Sequence, residues 1–324
     1  MTKLKTWLSA LLAGQLVLAG ALLWFGYQNE FSDEVTTLFA AGTNINKVEI
    51  SDGEASIVIA KVDDQWQIPS QQNLPANTTK AVGIIEDVAG LEFVWPVSTT
   101  TSSHTRFEVE DDKYQREVKM YAGDELAAHF YIGTSPGFRK VHVRQADQDD
   151  VYAVELNSFD FPTAVDDWLD TKMLTVANTD HIKAPDFAIT KKDDLWQLDP
   201  DATQGEGQTP QINADKANQL AIAFSNFSVQ GLAEAAPEGE PISFEVKAGD
   251  TTFGFDFIQQ EEDYFVRRDD RDLVFTLSKY DYERIANVNR EAIVVAVAEE
   301  VDTDKPDSEE IVVEGTEITP ESQQ

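Results

Sequence analysis

The sequence predicts an α+β protein: an N-terminal transmembrane helix followed by two tandem repeats, each a mainly antiparallel sheet with one packed helix. Three observations carry that expectation. An uncharged apolar run lies near the N-terminus, the remaining chain contains an ordered internal duplication, and each copy sets one helix-spaced apolar stretch among alternating strands.

The apolar run comes first. Leu8 to Tyr27 reads LSALLAGQLVLAGALLWFGY without a charge, a length that matches the hydrocarbon thickness of a bilayer at helical rise. Lys3 and Lys5 precede it, and Glu30, Asp33 and Glu34 follow, so the positive-inside tendency leaves a cytoplasmic stub at residues 1–7 and the bulk of the chain in the periplasm. Ala19-Gly20-Ala21 also has the small-x-small pattern of a signal-peptide cleavage site, but the apolar run continues through Leu22, Leu23, Trp24 and Phe25, which suits an uncleaved single-pass anchor in the inner membrane. Gln15 lies mid-helix, and Ala10 and Gly14 form a small-xxx-small pair, so Gln15 is a candidate partner-facing residue.

After a linker at 28–45 the first repeat runs from 46 to 167, and the second from 181 to 285 after a connector at 168–180. In the first, Asp64-Gln65-Trp66-Gln67-Ile68 precedes Pro75-Ala76-Asn77 and a run with Ala81, Ile84, Ile85 and Val88 on one helical face, stopped near Gly90. In the second, Asp194-Leu195-Trp196-Gln197-Leu198 precedes Asn213, an N-cap candidate, and then Ala217, Leu220, Ala221 and Phe224 at helical spacing. Val118 to Asp124 corresponds to Phe244 to Asp250, both read as a strand entering a Gly-Asp turn. Val143-Arg144, an acidic turn and Val151-Tyr152 recur as Val266-Arg267, an acidic turn and Val274-Phe275, each 123 residues later. A short closing helix completes each unit. Residues 286–324 begin with a short apolar run and turn acidic, with Asp302, Asp304, Asp307, Glu309 and Glu310 beside Pro306, and read as a disordered tail.

Composition bounds the partners. The 324 residues carry 59 Asp plus Glu against 25 Lys plus Arg, a formal net charge of -34, which argues against both nucleic acid and anionic lipid head groups as partners, because binding either relies on clustered cations. The acidic surface reads as one adapted to screening by salt. With no cysteine, neither disulfides nor thiolate metal sites exist.

The ordered motifs Gln65-Trp66, Pro75-Ala76, Ile132-Gly133, Val143-Arg144 and Val151-Tyr152 resemble those of a bacterial envelope family catalogued as domain of unknown function 4340. The likeness covers about Val48 to Phe161 and recurs more weakly in the second half, where no Ile-Gly follows Phe257. The resemblance implies an accessory component of an ABC transporter similar to those of gliding motility, with the transporter's membrane subunits as partners. It implies no catalytic residue.

The residues themselves identify no catalytic, cofactor or metal site. Gly133-Thr134-Ser135-Pro136-Gly137 matches the G-x-S-x-G nucleophile elbow, but Phe138 to Val143 alternates like a strand where the elbow requires a helix, and Pro136 lacks the N–H that forms half of the oxyanion hole. His129 and His142 are placed to face each other across a hairpin, but two imidazoles without a clear third ligand make a poor zinc site, and they read as a pair of half-exposed strand residues. The clusters Asp147, Asp149, Asp150 and Asp269, Asp270, Asp272 lack the glycine and distal Glu of a calcium loop. Arg144 and Arg267, at equivalent repeat positions, read as carboxylate clamps, with a partner-facing role as the sharper alternative. Trp66 and Trp196 read as core anchors. The expectation is a membrane-anchored periplasmic binding or scaffold protein of an envelope complex. The alternatives are a cell-wall or polysaccharide-acting enzyme with paired carboxylates and a periplasmic ligand-sensing domain.

Overall fold

A computed structural model describes residues 37–40, 42–199 and 211–295, with Trp7, Gly14, Gln15, Leu18 and Ala19. Two antiparallel sheets dominate it. The first contains β1 (Lys47–Ser51), β2 (Ser56–Val62), β3 (Gln65–Ile68), β4 (Leu74–Pro75), β5 (Pro96–Ser98), β6 (Arg116–Ala122), β7 (Glu125–Ile132), β8 (Lys140–Gln145) and β9 (Val151–Glu155). The second contains β10 (His181–Lys183), β11 (Ala188–Lys192), β12 (Leu195–Leu198), β14 (Val229–Leu232), β15 (Ile242–Ala248), β16 (Thr251–Gln260), β17 (Asp263–Arg268) and β18 (Val274–Leu277). The short strands β13 (Gln211–Ile212) and β19 (Val294–Val295) pair with each other.

The strand orders are β4-β3-β2-β1-β6-β7-β8-β9-β5 and β12-β11-β10-β15-β16-β17-β18-β14. Substituting β10 for β1, β15 for β6 and so on turns one order into the other, apart from β4. In both, a hairpin and its third strand flank the start of the unit, the chain crosses through a helix to the far edge, and four strands return as a meander. The Gly-Asp turns recur with matching backbones, since Gly123 and Gly249 have φ of 65° and 60°.

Helices are few. Among the described residues between 42 and 295, those longer than one turn are α1 (Thr78–Ala89), α2 (Ala214–Asn226) and α3 (Lys279–Ala286). Asn77 caps α1 by accepting from the Lys80 N–H, and Asn213 caps α2 by accepting from the Lys216 N–H. The first unit closes on 3-10 turns at Ser158–Asp160 and Asp166–Trp168 where the sequence suggests a helix.

The fold class expected from sequence is therefore corrected. The chain is mostly antiparallel β in two large sheets, and the helices are minor cover. Among the described residues no helix is long and apolar enough to cross a membrane. Most of the segment 8–27, on which that expectation rested, lies outside the described residues, as do 296–324 of the expected tail. Residues 286–295, also assigned to the tail, include a one-turn helix at Arg290–Ile293 and the strand β19.

Alternation places Val48, Ile50, Ile57, Ile59, Val118, Met120, Phe130 and Val143 on the inner face of the first sheet, and Ala81, Ile84 and Val88 of α1 join them in one buried cluster. In the second unit, Phe224 of α2 meets Phe244 and Phe255 at ring-centroid distances of 5.7 and 5.4 Å. Trp66 and Trp196 are both buried, and the Trp196 indole N–H donates to Asn218 of α2. The same cluster continues through the connector residues Trp168, Leu169, Leu174 and Val176, so both sheets share one apolar interior.

Candidate interaction surface

The inner faces are spent on the core, which leaves the outer faces, the strand edges and the loop ends for function. On the outer face of the first sheet, alternation brings out Lys47 and Glu49 of β1, Glu117, Lys119 and Tyr121 of β6, and His129, Tyr131 and Arg144 of β7 and β8. Glu117 is the hub. Its Oε1 lies 2.8 Å from Lys119 Nζ and 2.8 Å from His129 Nε2. Burial pushes the Glu117 carboxyl up, but the hydrogen bonds from Lys119 and His129 outweigh it and hold the group below its ordinary value. The same bond raises Lys119. Tyr121 donates to Glu49, and Lys47 stands over the Tyr121 ring at 3.7 Å.

At the β8 side the face is covered. Residues 99–115 leave the sheet, form a one-turn helix at His104–Phe107, and lay Phe107 and Val109 onto Tyr131 and Val151 as a second small core. Arg144 lies beneath this excursion with its side chain 5% exposed. Its Nε donates to the Val109 carbonyl at 2.7 Å, Nη1 to the carbonyls of Gln145, Ala146 and Gln148, and Nη2 to Asp111, while the guanidinium stacks on Tyr131 at 4.7 Å. Burial, with the Asp111 and Glu117 charges adding to it, pushes the Tyr131 hydroxyl up to about 12.

Gly133 admits the excursion. A Cβ there would stand 2.0 Å from the Phe107 carbonyl oxygen and 2.6 Å from that of Glu108. The register position that Gly133 holds after Ile132 is held by Ile258 after Phe257 in the second sheet, because Ile132 pairs with Val143 and Phe257 with Val266. Ile258 lies against Gly239 in the segment that joins β14 to β15.

Arg267 is the register equivalent of Arg144: it faces Asp256 on one side and Val274 on the other, as Arg144 faces Tyr131 and Val151. Nothing seals it. Its side chain is 52% exposed and donates to Asp256, whose other oxygen accepts from Ser243. Burial works against the Asp256 charge, but Ser243 and Arg267 together hold its carboxyl below its ordinary range. Around this pair the outer face of the second sheet forms an open recess of ≈ 680 Å³ that also includes Glu245, Asp269 and Arg271. The next residue, Arg268, turns inward, pairs with Asp270 and stacks on Phe253.

The other sequence-selected residues are dispersed. His129 and His142 do not face each other, since the β7–β8 register puts Ala146 beside His129 and Gly133 beside His142. His142 is buried, receives or donates a hydrogen bond at Thr134 Oγ1, and packs its ring 4.3 Å from that of Phe107. Ser135 of the Gly-x-Ser-x-Gly match spends its hydroxyl on the turn, donating to the Lys140 carbonyl and accepting from the Gly137 N–H. Phe138 lies in that turn with φ of 54°, not in the strand expected from alternation. Gln15 has helical backbone and is exposed, with most of its neighbours outside the described residues. Among the described residues no three His, Asp or Glu side chains converge at metal-binding distance.

The excursion was not legible beforehand. Its signal is the spacing: 17 residues separate β5 from β6, whereas nine separate β14 from β15 (99–115 against 233–241).

This arrangement defines a duplicated antiparallel β protein with one sealed and one open arginine face. Residues 66–245 match the model of the family described as Domain of unknown function (DUF4340), and the chain belongs to that family. No curated protein and no solved structure matches it.

Proposed function

We propose that this chain is a non-enzymatic binding or scaffold protein of a bacterial envelope complex, an accessory component of an ABC transporter whose membrane subunits are its partners. The observation that supports this reading is the open Arg267–Asp256 face. The fold builds an arginine at the same register twice, seals one under its own chain and leaves the other exposed in a broad recess. Arginine is enriched in protein interfaces because its planar fork makes directional bonds that survive partial desolvation. A carboxylate or turn of backbone carbonyls from a partner would meet Arg267 as Asp111 and Val109 meet Arg144.

The test is purification of the full-length chain from envelope extracts in mild detergent, with identification of what accompanies it. ABC transporter membrane subunits are expected with the wild type, and Arg267→Glu is expected to deplete them. Repeated isolation of the chain alone overturns the reading.

A further inference from the structure

The excursion 99–115 is joined to the first sheet by a short set of contacts. Its buried apolar side chains are Phe107 and Val109, which with Tyr131 and Val151 form a core separate from the main apolar cluster. The Thr134 N–H donates to the Phe107 carbonyl at 2.8 Å, Arg144 Nε to the Val109 carbonyl at 2.7 Å, and Arg144 Nη2 to Asp111. His104 meets the Asp149 carbonyl through Nε2 at 2.8 Å. A segment with a small core of its own opens at lower cost than the sheet beneath it.

His142 lies beneath the aromatic part of this segment and is 8% exposed. Its ring stands 4.3 Å from that of Phe107, and the Arg106 guanidinium carbon lies 4.4 Å from the centre of the Phe107 ring. Lys140 and Arg144 share its face of β8, two residues away on either side. Across β9 the register places Ala153 opposite His142, Val151 opposite Arg144 and Glu155 opposite Lys140. After β7 the neighbours are Gly133 and Thr134, and Thr134 Oγ1 lies 2.9 Å from Nδ1. The surrounding carboxylates are committed elsewhere: Glu155 stands against Lys140, Asp111 bonds Arg144, Glu108 accepts from Gln115 and Glu110 from Thr105. A proton on His142 therefore adds a positive charge to Arg106, Lys140 and Arg144 beneath a closed aromatic lid. Burial is the largest influence against that proton and the Arg106 charge adds to it, while the Thr134 bond opposes them.

The second sheet supports a role for the imidazole. At the register of His142 it carries Phe265, which faces Ile258 and Thr276 as His142 adjoins Gly133 and Ala153. Of the two positions, only the covered one has a titratable ring. His104 does not supply the trigger, because the Nε2 that donates to the Asp149 carbonyl still donates when the ring is charged.

We propose that residues 99–115 are an acid-released cover, in which a proton taken up by His142 shifts the segment toward a lifted state that bares Arg144 and Tyr131. In the lifted state water reaches the imidazolium; in the closed state Phe107 keeps it out. One proton couples opening to pH by at most about tenfold per pH unit, so acid raises the lifted population by a factor rather than removing the cover outright. What the bared face is used for rests on the reading of the Arg267 face as an interaction surface: in acid the first sheet gains the exposed arginine that the second already has. The opening itself does not depend on that reading.

Hydrogen exchange of the full-length chain at pH 7.5 and 5.5, corrected for the intrinsic rate, tests the opening without any partner. The amides of Val109 and Glu110, which bond within the segment, and of Thr134, which bonds to it, are expected to exchange as one group that is less protected than β6 and β7. Their protection should fall by up to roughly tenfold at the lower pH. His142→Phe, which keeps a ring in place, should retain the protection at pH 7.5 and lose the fall. Arg106→Gln leaves the buried ring untouched and should shrink the fall, since it removes a cation that opposes the proton. Equal protection at the two pH values, an undiminished fall in both variants, or exchange of 99–115 only together with β6 and β7 overturns the proposal. None of these results bears on the transporter reading, which the purification with Arg267→Glu decides separately.

Discussion

Arg144 and Arg267 occupy the same register position in the two sheets, yet the first gives its guanidinium to four backbone carbonyls and Asp111 and the second to Asp256 and solvent. Their substitution should separate accordingly. Arg144→Ala leaves the carbonyls of Val109, Ala146 and Gln148 short of a charged donor in a place where water enters poorly, and should cost about 2–4 kcal/mol. Arg267→Ala breaks an exposed pair and should cost about 0–1 kcal/mol. Urea unfolding of both variants at neutral pH checks the contrast; equal losses would show that burial does not govern them.

Gly133 lets residues 99–115 close over the sheet beside Arg144, and it makes a second prediction. Gly133→Ala places a Cβ into the carbonyls of Phe107 and Glu108, backbone atoms that cannot swing aside. The excursion 99–115 must lift, exposing Phe107 and Val109 from their small core. A loss of about 2–4 kcal/mol is expected, in the range of other severe steric insertions. Limited proteolysis should meanwhile cut within 99–115 before it cuts elsewhere in the first unit.

The duplication was legible in the sequence because it is written in side-chain chemistry that local physics enforces. Asn77 and Asn213 cap helices, Gly123 and Gly249 supply left-handed turns, and Trp66 and Trp196 fill equivalent places in the core. What escaped reading is non-local. The balance of sheet over helix was hidden because strands such as β4, β5 and β13 span only two or three residues, too few for a period of two to register. The different fates of Arg144 and Arg267 depend on a segment more than 30 residues away in sequence from Arg144, signalled only by a longer interstrand spacing. Phe138 looked like part of a strand because alternation cannot reveal that its backbone is left-handed.

His142 gives the molecule a pH dependence whose sign follows from its burial. Desolvation is the largest influence and lowers its pKa; the Thr134 bond opposes it and the Arg106 charge reinforces it. A histidine whose folded pKa lies below its unfolded value stays neutral while the unfolded chain takes a proton. Stability is therefore full above the unfolded value of about 6.5 and falls as pH drops below it, with a slope of at most about 1.4 kcal/mol per pH unit. His142→Gln should flatten the difference in stability between pH 7.5 and 5.5. Denaturant midpoints at the two values, taken for both proteins, decide it.

Asp270 behaves in the opposite chemical sense but loses stability in the same direction at lower pH. The hydrogen bond from the buried Arg268 is the main cause that holds its carboxyl below the ordinary value, against the effect of burial. Its contribution is present above the unfolded pKa and disappears as pH falls through the folded one. Asp270→Asn should therefore melt below the wild type at pH 7 and converge with it near pH 2. A gap that persists in acid would mean that the carboxylate charge is not what Arg268 requires.

Asp166 joins the two units. Its Oδ1 accepts the Leu232 N–H at 2.9 Å at the edge of the second sheet, and Gly231 makes the approach possible, since a Cβ there would lie 2.4 Å from Oδ2. Around it the connector is held from both sides. The Asn77 N–H donates to the Trp168 carbonyl and Lys80 Nζ to that of Asp167, while the Val229 N–H donates to the Thr171 carbonyl and Lys172 Nζ to the carbonyls of Asn226 and Phe227. A shared apolar interior alone would allow the sheets to slide, whereas directional bonds along the seven residues 166–172 fix their spacing. Asp166→Ala removes one acceptor and should cost about 1–3 kcal/mol, because it leaves the Leu232 N–H without its partner. Gly231→Ala should cost more, since the carboxylate itself must withdraw. Coupling predicts a qualitative change as well: wild-type unfolding in urea, followed by tryptophan fluorescence, should be a single transition, and the Asp166→Ala, Lys172→Ala double variant should split it in two. A single transition retained in the double variant would place the coupling in the apolar cluster rather than in these bonds.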